Sequence, residues 1–144
     1  INGNIWVGVQ SGANAAKFVR YDANLNALDS VSLGATFKLP ANGILTFSGK
    51  DEFIYWQETS RGVTCRFNTL TKVAEEFVDH ASAGISFATA WKVNPQTGEL
   101  YIADSPGLFT GDNNNSDLYI FSKTGALKKQ LKSVGYWVTD IVFS

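Results

Sequence analysis

The 144 residues include no methionine, one cysteine, one histidine and three prolines, and each scarcity removes a class of protein. A lone thiol, Cys65, excludes an internal disulfide framework and any metal site built from several thiolates. A lone imidazole, His80, means that a zinc cluster or a Ser-His-Asp arrangement would have to turn on that one residue. No motif surrounds it, and beside Asp79 it reads as a loop residue. Lacking Met and opening on Ile1, the chain is expected to be a processed product or a fragment. A signal peptide, lipid anchor or further domain upstream would then leave no trace in it. No apolar run approaches the ~20 residues that span a bilayer as a helix. Neither sign of charge forms a long run, and 12 basic against 13 acidic residues leave a net charge of -1. That pattern excludes the electrostatic footprint of a nucleic-acid or anionic-membrane partner. There is also no phosphate-binding glycine loop, metalloprotease helix or nucleophile elbow.

What is present is short strands between turns. Leu100-Tyr101-Ile102-Ala103 and Leu118-Tyr119-Ile120-Phe121 are rich in β-branched and aromatic residues and bounded by Gly, Pro, Asn and Asp. Ahead of them Asn94-Pro95-Gln96-Thr97-Gly98 is a turn in which Pro95 presets φ and Gly98 takes positive φ. The same order of events occurs three times. Ile5-Trp6-Val7-Gly8 answers Phe53-Ile54-Tyr55-Trp56 and Leu100 to Ala103, taking Ile5, Phe53 and Leu100 as equivalent. The strand ending at Tyr21 answers Val63 to Phe67 and Leu118 to Phe121. The alternating stretches Leu28 to Leu33, Val73 to Val78 and Leu127 to Lys132 close each round. Four short strands recurring at about 40 to 50 residues are the signature of β-propeller blades.

With the strands of a blade lettered A to D outward from the central channel, the chain reads BCD-ABCD-ABCD-A. The blade units run over about 1-34, 43-79 and 89-133, and a closing strand over 137-144 has its centre at Thr139 to Phe143. B strands should be apolar on both faces and D strands should keep a wet face. The competing pattern is helical at Val73 to His80 and Leu127 to Val134. Three blades cannot close a ring that needs about four to eight. The chain is thus expected to be part of a six- to eight-bladed propeller, with head-to-tail pairing of two copies as the less favoured alternative.

At NPQTGELYIAD, then SDLYIFSKTGALKKQL and the closing GYWVTDIVFS, the chain resembles the YVTN/NHL-like propellers of bacterial exported and surface proteins. Tyr101-Ile102-Ala103-Asp104 and Leu118-Tyr119-Ile120-Phe121-Ser122 occupy the places of that family's blade strands. Tyr55-Trp56-Gln57-Glu58 and Trp6-Val7-Gly8-Val9 depart from it. The resemblance implies a fold and an extracellular or periplasmic location, with anchoring at the cell surface through an upstream segment as an option. It implies no chemistry.

Candidate site residues follow from blade geometry, since the D-to-A and B-to-C connections share one face of the ring. That face carries Phe37 and Lys38, His80 and Phe87, Tyr136 and Trp137, with Arg61 and Phe109 from the B-to-C loops. Aromatics beside amides and carboxylates suit a sugar or another polar ligand with one apolar face. The plainer alternative is that they fill gaps between blades. Asp112, Asn114, Ser116 and Asp117 space oxygen atoms loosely like a calcium loop, but the mid-loop glycine and distal glutamate of such loops are missing, so a solvated hairpin loop is favoured. Asn114-Asn115-Ser116 is a formal glycosylation sequon. Asp104 ends a B strand and Asp140 lies in the closing A strand near the channel mouth. In gluconolactonase-type six-bladed enzymes, acidic and Asn side chains from several blades converge on a metal. Here Ile44 and Ala90 stand where Asp140 would need acidic counterparts. Cys65 falls on the apolar face of a C strand, where a buried thiol is expected.

The sequence therefore points to a non-catalytic scaffold or binding module, without a cofactor, contacting a protein or glycan through Arg61, Phe87, Phe109, Tyr136, Trp137 and Asp140. Its partners would be the remaining blades or a second copy. The second expectation is a metal-dependent propeller hydrolase or lactonase whose ligands are shared with missing blades.

Overall fold

Alternation with period two governs the middle of the chain, and both registers of it are apolar. In a strand, such a pattern buries both faces of a sheet. The computed structural model describes residues 3–10, 16–40, 45–48, 52–108 and 115–144, and its strands form three antiparallel sheets. The first sheet holds β1 (Ile5–Val9), β2 (Lys17–Tyr21) and β3 (Ala27–Ser32). The second holds β4 (Thr46–Ser48), β5 (Phe53–Glu58), β6 (Val63–Asn68) and β7 (Ala74–Asp79). The third holds β8 (Ala88–Val93), β9 (Leu100–Asp104), β10 (Ser116–Phe121) and β11 (Leu127–Gly135). Each is a meander in which sequence neighbours pair, and the innermost strands β4 and β8 approach one another.

The expected strand reading holds in all three rounds. The helical alternative at Val73 to His80 and Leu127 to Val134 gives way to β7 and β11, whose outward residues are exposed. One helical turn does occur, α1 (His80–Ala83), after β7 rather than across it. The pairing register corrects the internal alignment by one residue: Ile5 faces Tyr21, Ile54 faces Phe67 and Leu100 faces Phe121. Ile54, not Phe53, is therefore the counterpart of Ile5 and Leu100. The expected closing strand at Thr139 to Phe143 is absent, because residues 138–144 have no ladder. A strand exists only by its partner. Instead the Phe143 ring meets Tyr101 on the third sheet at 4.9 Å, edge to face.

The second sheet is covered on both sides. Ile54 and Trp56 of β5 join Phe18, Cys65, Phe67 and Leu39 in a core against the first sheet. Tyr55, between them in sequence, joins Val78, Leu100, Ile102, Tyr119 and Phe121 in a core against the third. Trp6, Phe18, Trp56 and Phe67 meet edge-on or tilted, with centroids 4.9 to 6.4 Å apart, an arrangement the ring quadrupoles favour. The outer face of β1 has no such cover, and Ile5 and Val7 are exposed there.

The turns from the third to the fourth strand of each blade share one construction. The side chains of Asp22, Asn68 and Ser122 each accept from two backbone amides of the turn. Leu25, Lys72 and Gly125 then take positive φ. Gly98 likewise has φ 73 in the expected Asn94 turn, where the Asn94 carbonyl side chain accepts from Gln96 and Thr97.

Candidate functional site

Each four-stranded sheet ends its second strand on a buried acid, and this builds the loop face. Glu58 closes β5 and accepts from the Lys38 amide at 2.7 Å. Asp104 closes β9 and accepts from Ser86 and Phe87 at 3.1 and 2.6 Å. In both cases the carboxylate satisfies the backbone N–H groups of the connection entering its own blade. Asp104, expected near the channel mouth, is thus nearly enclosed and committed to a structural role. Trp56 donates to the Lys38 carbonyl at 3.1 Å, and Phe37 packs edge-on against Trp56 at 6.1 Å. Phe37 therefore fills a gap between blades.

Arg61 compensates Glu58. Its guanidinium donates to Glu58 Oε2 at 3.1 Å and to the Thr36 carbonyl at 3.2 Å, and it pairs with Glu76. A buried carboxylate needs such a partner. Next to it, the Cys65 thiol is pushed up to about 12 by burial and by the Glu58 charge. It therefore stays protonated and is a poor nucleophile, as its place on the apolar face of β6 led us to expect.

His80 is not the plain loop residue expected. It opens α1, is buried, and its Nε2 lies 2.9 Å from Thr64 Oγ1. Asp79 caps the turn by accepting from Ala81 and Ser82, and Gly84 ends it with φ 82. Tyr119 of the third sheet donates to the Gly84 carbonyl at 3.2 Å. Burial lowers the His80 pKa, against the neighbouring Asp79 and Asp104 charges that would raise it.

Between these parts lies a cleft of about 190 Å3, lined by Gln57, Thr59 and Arg61 of the second sheet, by His80 of α1 and by Ile85 to Ala88 of the connection into β8. The structure thus brings Arg61 and Phe87 together, as the loop-face geometry predicted. Tyr136, Trp137 and Asp140 occupy the corresponding position after β11 and do not line the cleft. Tyr136 is 70% and Trp137 49% exposed. Asp140 is exposed and takes the amide of Ile141 on its own carboxylate at 2.8 Å. Phe109 lies outside the described residues.

Of the oxygen atoms spaced like a calcium loop, Asp112 and Asn114 also lie outside the described residues. Ser116 and Asp117 belong to β10 rather than to a loop. Ser116 is buried, with its hydroxyl 2.6 Å from that of Ser105 and accepting from the Val138 amide. The sequon hydroxyl is therefore enclosed. Asp117 accepts from Lys132, Gln130 and Ser133. Although burial pushes its carboxyl up, the Lys132 ammonium and the Ser133 amide hold it below the usual carboxylate range. Among the described residues no three His, Cys, Asp or Glu side chains group as metal ligands would, and no helix is long and apolar enough to cross a membrane.

The residues the sequence reading passed over are Gln57, Thr64 and Ile85. Gln57 carried a faint signal, as the first polar residue after the run Phe53 to Trp56. Its amide Nε2 is buried without a hydrogen-bond partner among the described residues.

No protein-family model matches the sequence, and no curated protein matches it. Solved structures do match. A luciferin-regenerating enzyme superposes with a TM-score of 0.59 at 13% identity, over 98% of this chain and 46% of that one. The calcium-binding protein regucalcin of Agrobacterium tumefaciens strain C58 does so with 0.54 at 16% identity, over 96% and 45%. The chain spans a little under half the length of either. Both are β-propellers, and with three successive antiparallel meanders covering one another face to face, this chain has the fold of consecutive β-propeller blades.

Proposed function

We propose that this chain is a binding module of a β-propeller, contacting a protein or glycan through its loop face and carrying out no chemistry of its own. The observation that carries the reading is the cleft where Arg61 and Phe87 meet Gln57, His80 and Ser86. A few polar groups beside an aromatic wall are what orient a polar ligand. Of the residues best suited to nucleophilic or acid-base work, Cys65 is buried with its thiol kept protonated, and His80, which lines the cleft, is buried with its Nε2 engaged by Thr64. Tyr136 and Trp137 extend the same face after β11. The blade strands Tyr101 to Asp104 and Leu118 to Ser122 support membership of the YVTN/NHL-like group and an extracellular or periplasmic setting. The open edge of β1 and the ladderless residues 138–144 support completion by further blades or by a second copy.

A glycan array probed with the chain tests this reading. Binding to a restricted set of glycans is expected, reduced at least tenfold by Phe87→Ala or by Trp137→Ala. Binding that both variants leave intact, or none to glycan or protein, would sink it.

A second reading is a metal-dependent hydrolase whose ligands come from several blades. It is supported by the calcium-binding regucalcin among the structures this chain resembles. Here Asp104 is already occupied by two amides, so further ligands would have to come from other blades. A large rise in the melting midpoint with micromolar calcium would favour this second reading, since a metal that binds only the folded state raises the midpoint.

A further inference from the structure

Among the described residues, the cleft between the second and third sheets has its charges committed and one donor unmet. Arg61 is divided between Glu58, Glu76 and the Thr36 carbonyl. Asp79 caps α1 and Asp104 holds the Ser86 and Phe87 amides. Burial disfavours the charged form of His80. The acids bonded to the cleft's walls outnumber its single guanidinium, so its surroundings repel an anion.

The unmet group is Gln57 Nε2. An orphaned buried N–H costs ~1–3 kcal/mol, and what relieves it is an acceptor. A ligand whose polar group is an ammonium has none to give. The last torsion of a glutamine side chain is broad and two-fold, so the amide can turn toward a ligand without leaving a favourable well. About 190 Å3 is below the ~300 Å3 where drug-sized ligands begin and equals the liquid volume of roughly six waters at ~30 Å3 each. That is room for one small ring or acylamino group. Ile85, Ala81 and Ala88 supply apolar wall and Thr59 and Ser86 hydroxyls.

We infer that the cleft takes the N-acyl group of a neutral monosaccharide unit, its carbonyl oxygen accepting from Gln57 Nε2 and its methyl lying against the aliphatic wall. This rests on the loop face being a ligand surface, and it adds the sign of charge, the size and the recognising atom.

The test is a titration of the isotopically labelled chain, followed by NMR, with N-acetylglucosamine, glucose, glucosamine and glucuronate. N-acetylglucosamine should shift the Gln57 side-chain amide together with the backbone amides of Gly62, Ala81 and Phe87. Glucose should do so more weakly, and the two charged sugars not at all. Gln57→Met should weaken N-acetylglucosamine at least tenfold while leaving the melting midpoint unchanged or higher, because the orphaned donor is gone. Phe87→Ala provides the same readout should the first variant fold poorly. Charged sugars binding the cleft as tightly as N-acetylglucosamine, or affinity undiminished in Gln57→Met, overturns the ligand chemistry and leaves the loop-face reading standing. If none of the four sugars moves a cleft resonance while the array still shows glycan binding sensitive to Trp137→Ala, this inference alone falls. If both are silent, both fall.

Discussion

His80 shows how far one side chain's role depends on what surrounds it. A single histidine next to an aspartate reads in sequence as a loop residue. In the fold it is buried at the head of α1, with Thr64 on Nε2. Burial depresses its pKa below the ordinary 6.5. The unfolded chain then binds the proton more readily than the folded one, so stability is full above about pH 6.5 and declines as pH falls toward the depressed value. Thermal melts should show a midpoint that is flat above about pH 6.5 and falls below it, with the slope between 6.5 and 5 largely removed in His80→Gln. The carboxylates held low by their partners, such as Asp22, Asp79 and Asp117, act only nearer pH 4, so their window is separate. An unchanged slope in His80→Gln would show that burial does not govern this group.

Sheet-to-sheet contacts are made at the scale of the element, where β7 and the turn between β10 and β11 meet. Arg66 lies between the Phe53 and Phe77 rings, 4.1 Å from each centroid. It pairs with Glu75 and donates to the Lys123 carbonyl at 2.9 Å. The same turn brings Gly125, at φ 87, so close that an added Cβ would stand 2.9 Å from the Phe77 carbonyl oxygen. Gly125→Ala should therefore cost ~1–3 kcal/mol through φ strain and the clash together. Arg66→Lys should cost about 1–2 kcal/mol despite keeping the charge, because stacking and the forked donors are lost. Chemical denaturation of both variants measures this. Values within about 0.5 kcal/mol of the parent would mean that this turn does not tie the two sheets together. The alternation of β5 and the positive φ at Gly98 were legible in the sequence, since both are local. The one-residue correction that makes Ile54 the equivalent of Ile5 was not, because register is fixed by cross-strand partners, here Phe67 opposite Ile54.

For the molecule as a whole, the inequality between its sheets matters most. The middle sheet is buried on both faces, whereas Ile5 and Val7 on β1, Trp137 and Val142 are exposed. Among the described residues β1 also has an unpaired edge, where a second-strand position would ordinarily have a first strand beside it. Apolar faces and open edges of this kind promote association. Light scattering on the 144-residue chain should give a mass above 15.7 kDa that increases with concentration. A strict monomer at about 100 μM would show these surfaces to be tolerated in water.

Local chemistry was enough for the sequence alone to determine strands, turns and their threefold recurrence: side-chain alternation, β-branched and aromatic content, and turn residues act over a few positions. It also determined that Cys65 would be a buried thiol and that Arg61 and Phe87 would share a face. Only the tertiary structure decided that His80 is enclosed, that Glu58 and Asp104 hold the loops of their own blades, and that residues 138–144 form no strand. It alone left Gln57 Nε2 without a partner among the described residues. Each of those depends on atoms brought together from distant parts of the chain, and desolvation, hydrogen-bond satisfaction and ladder pairing exist only once they meet.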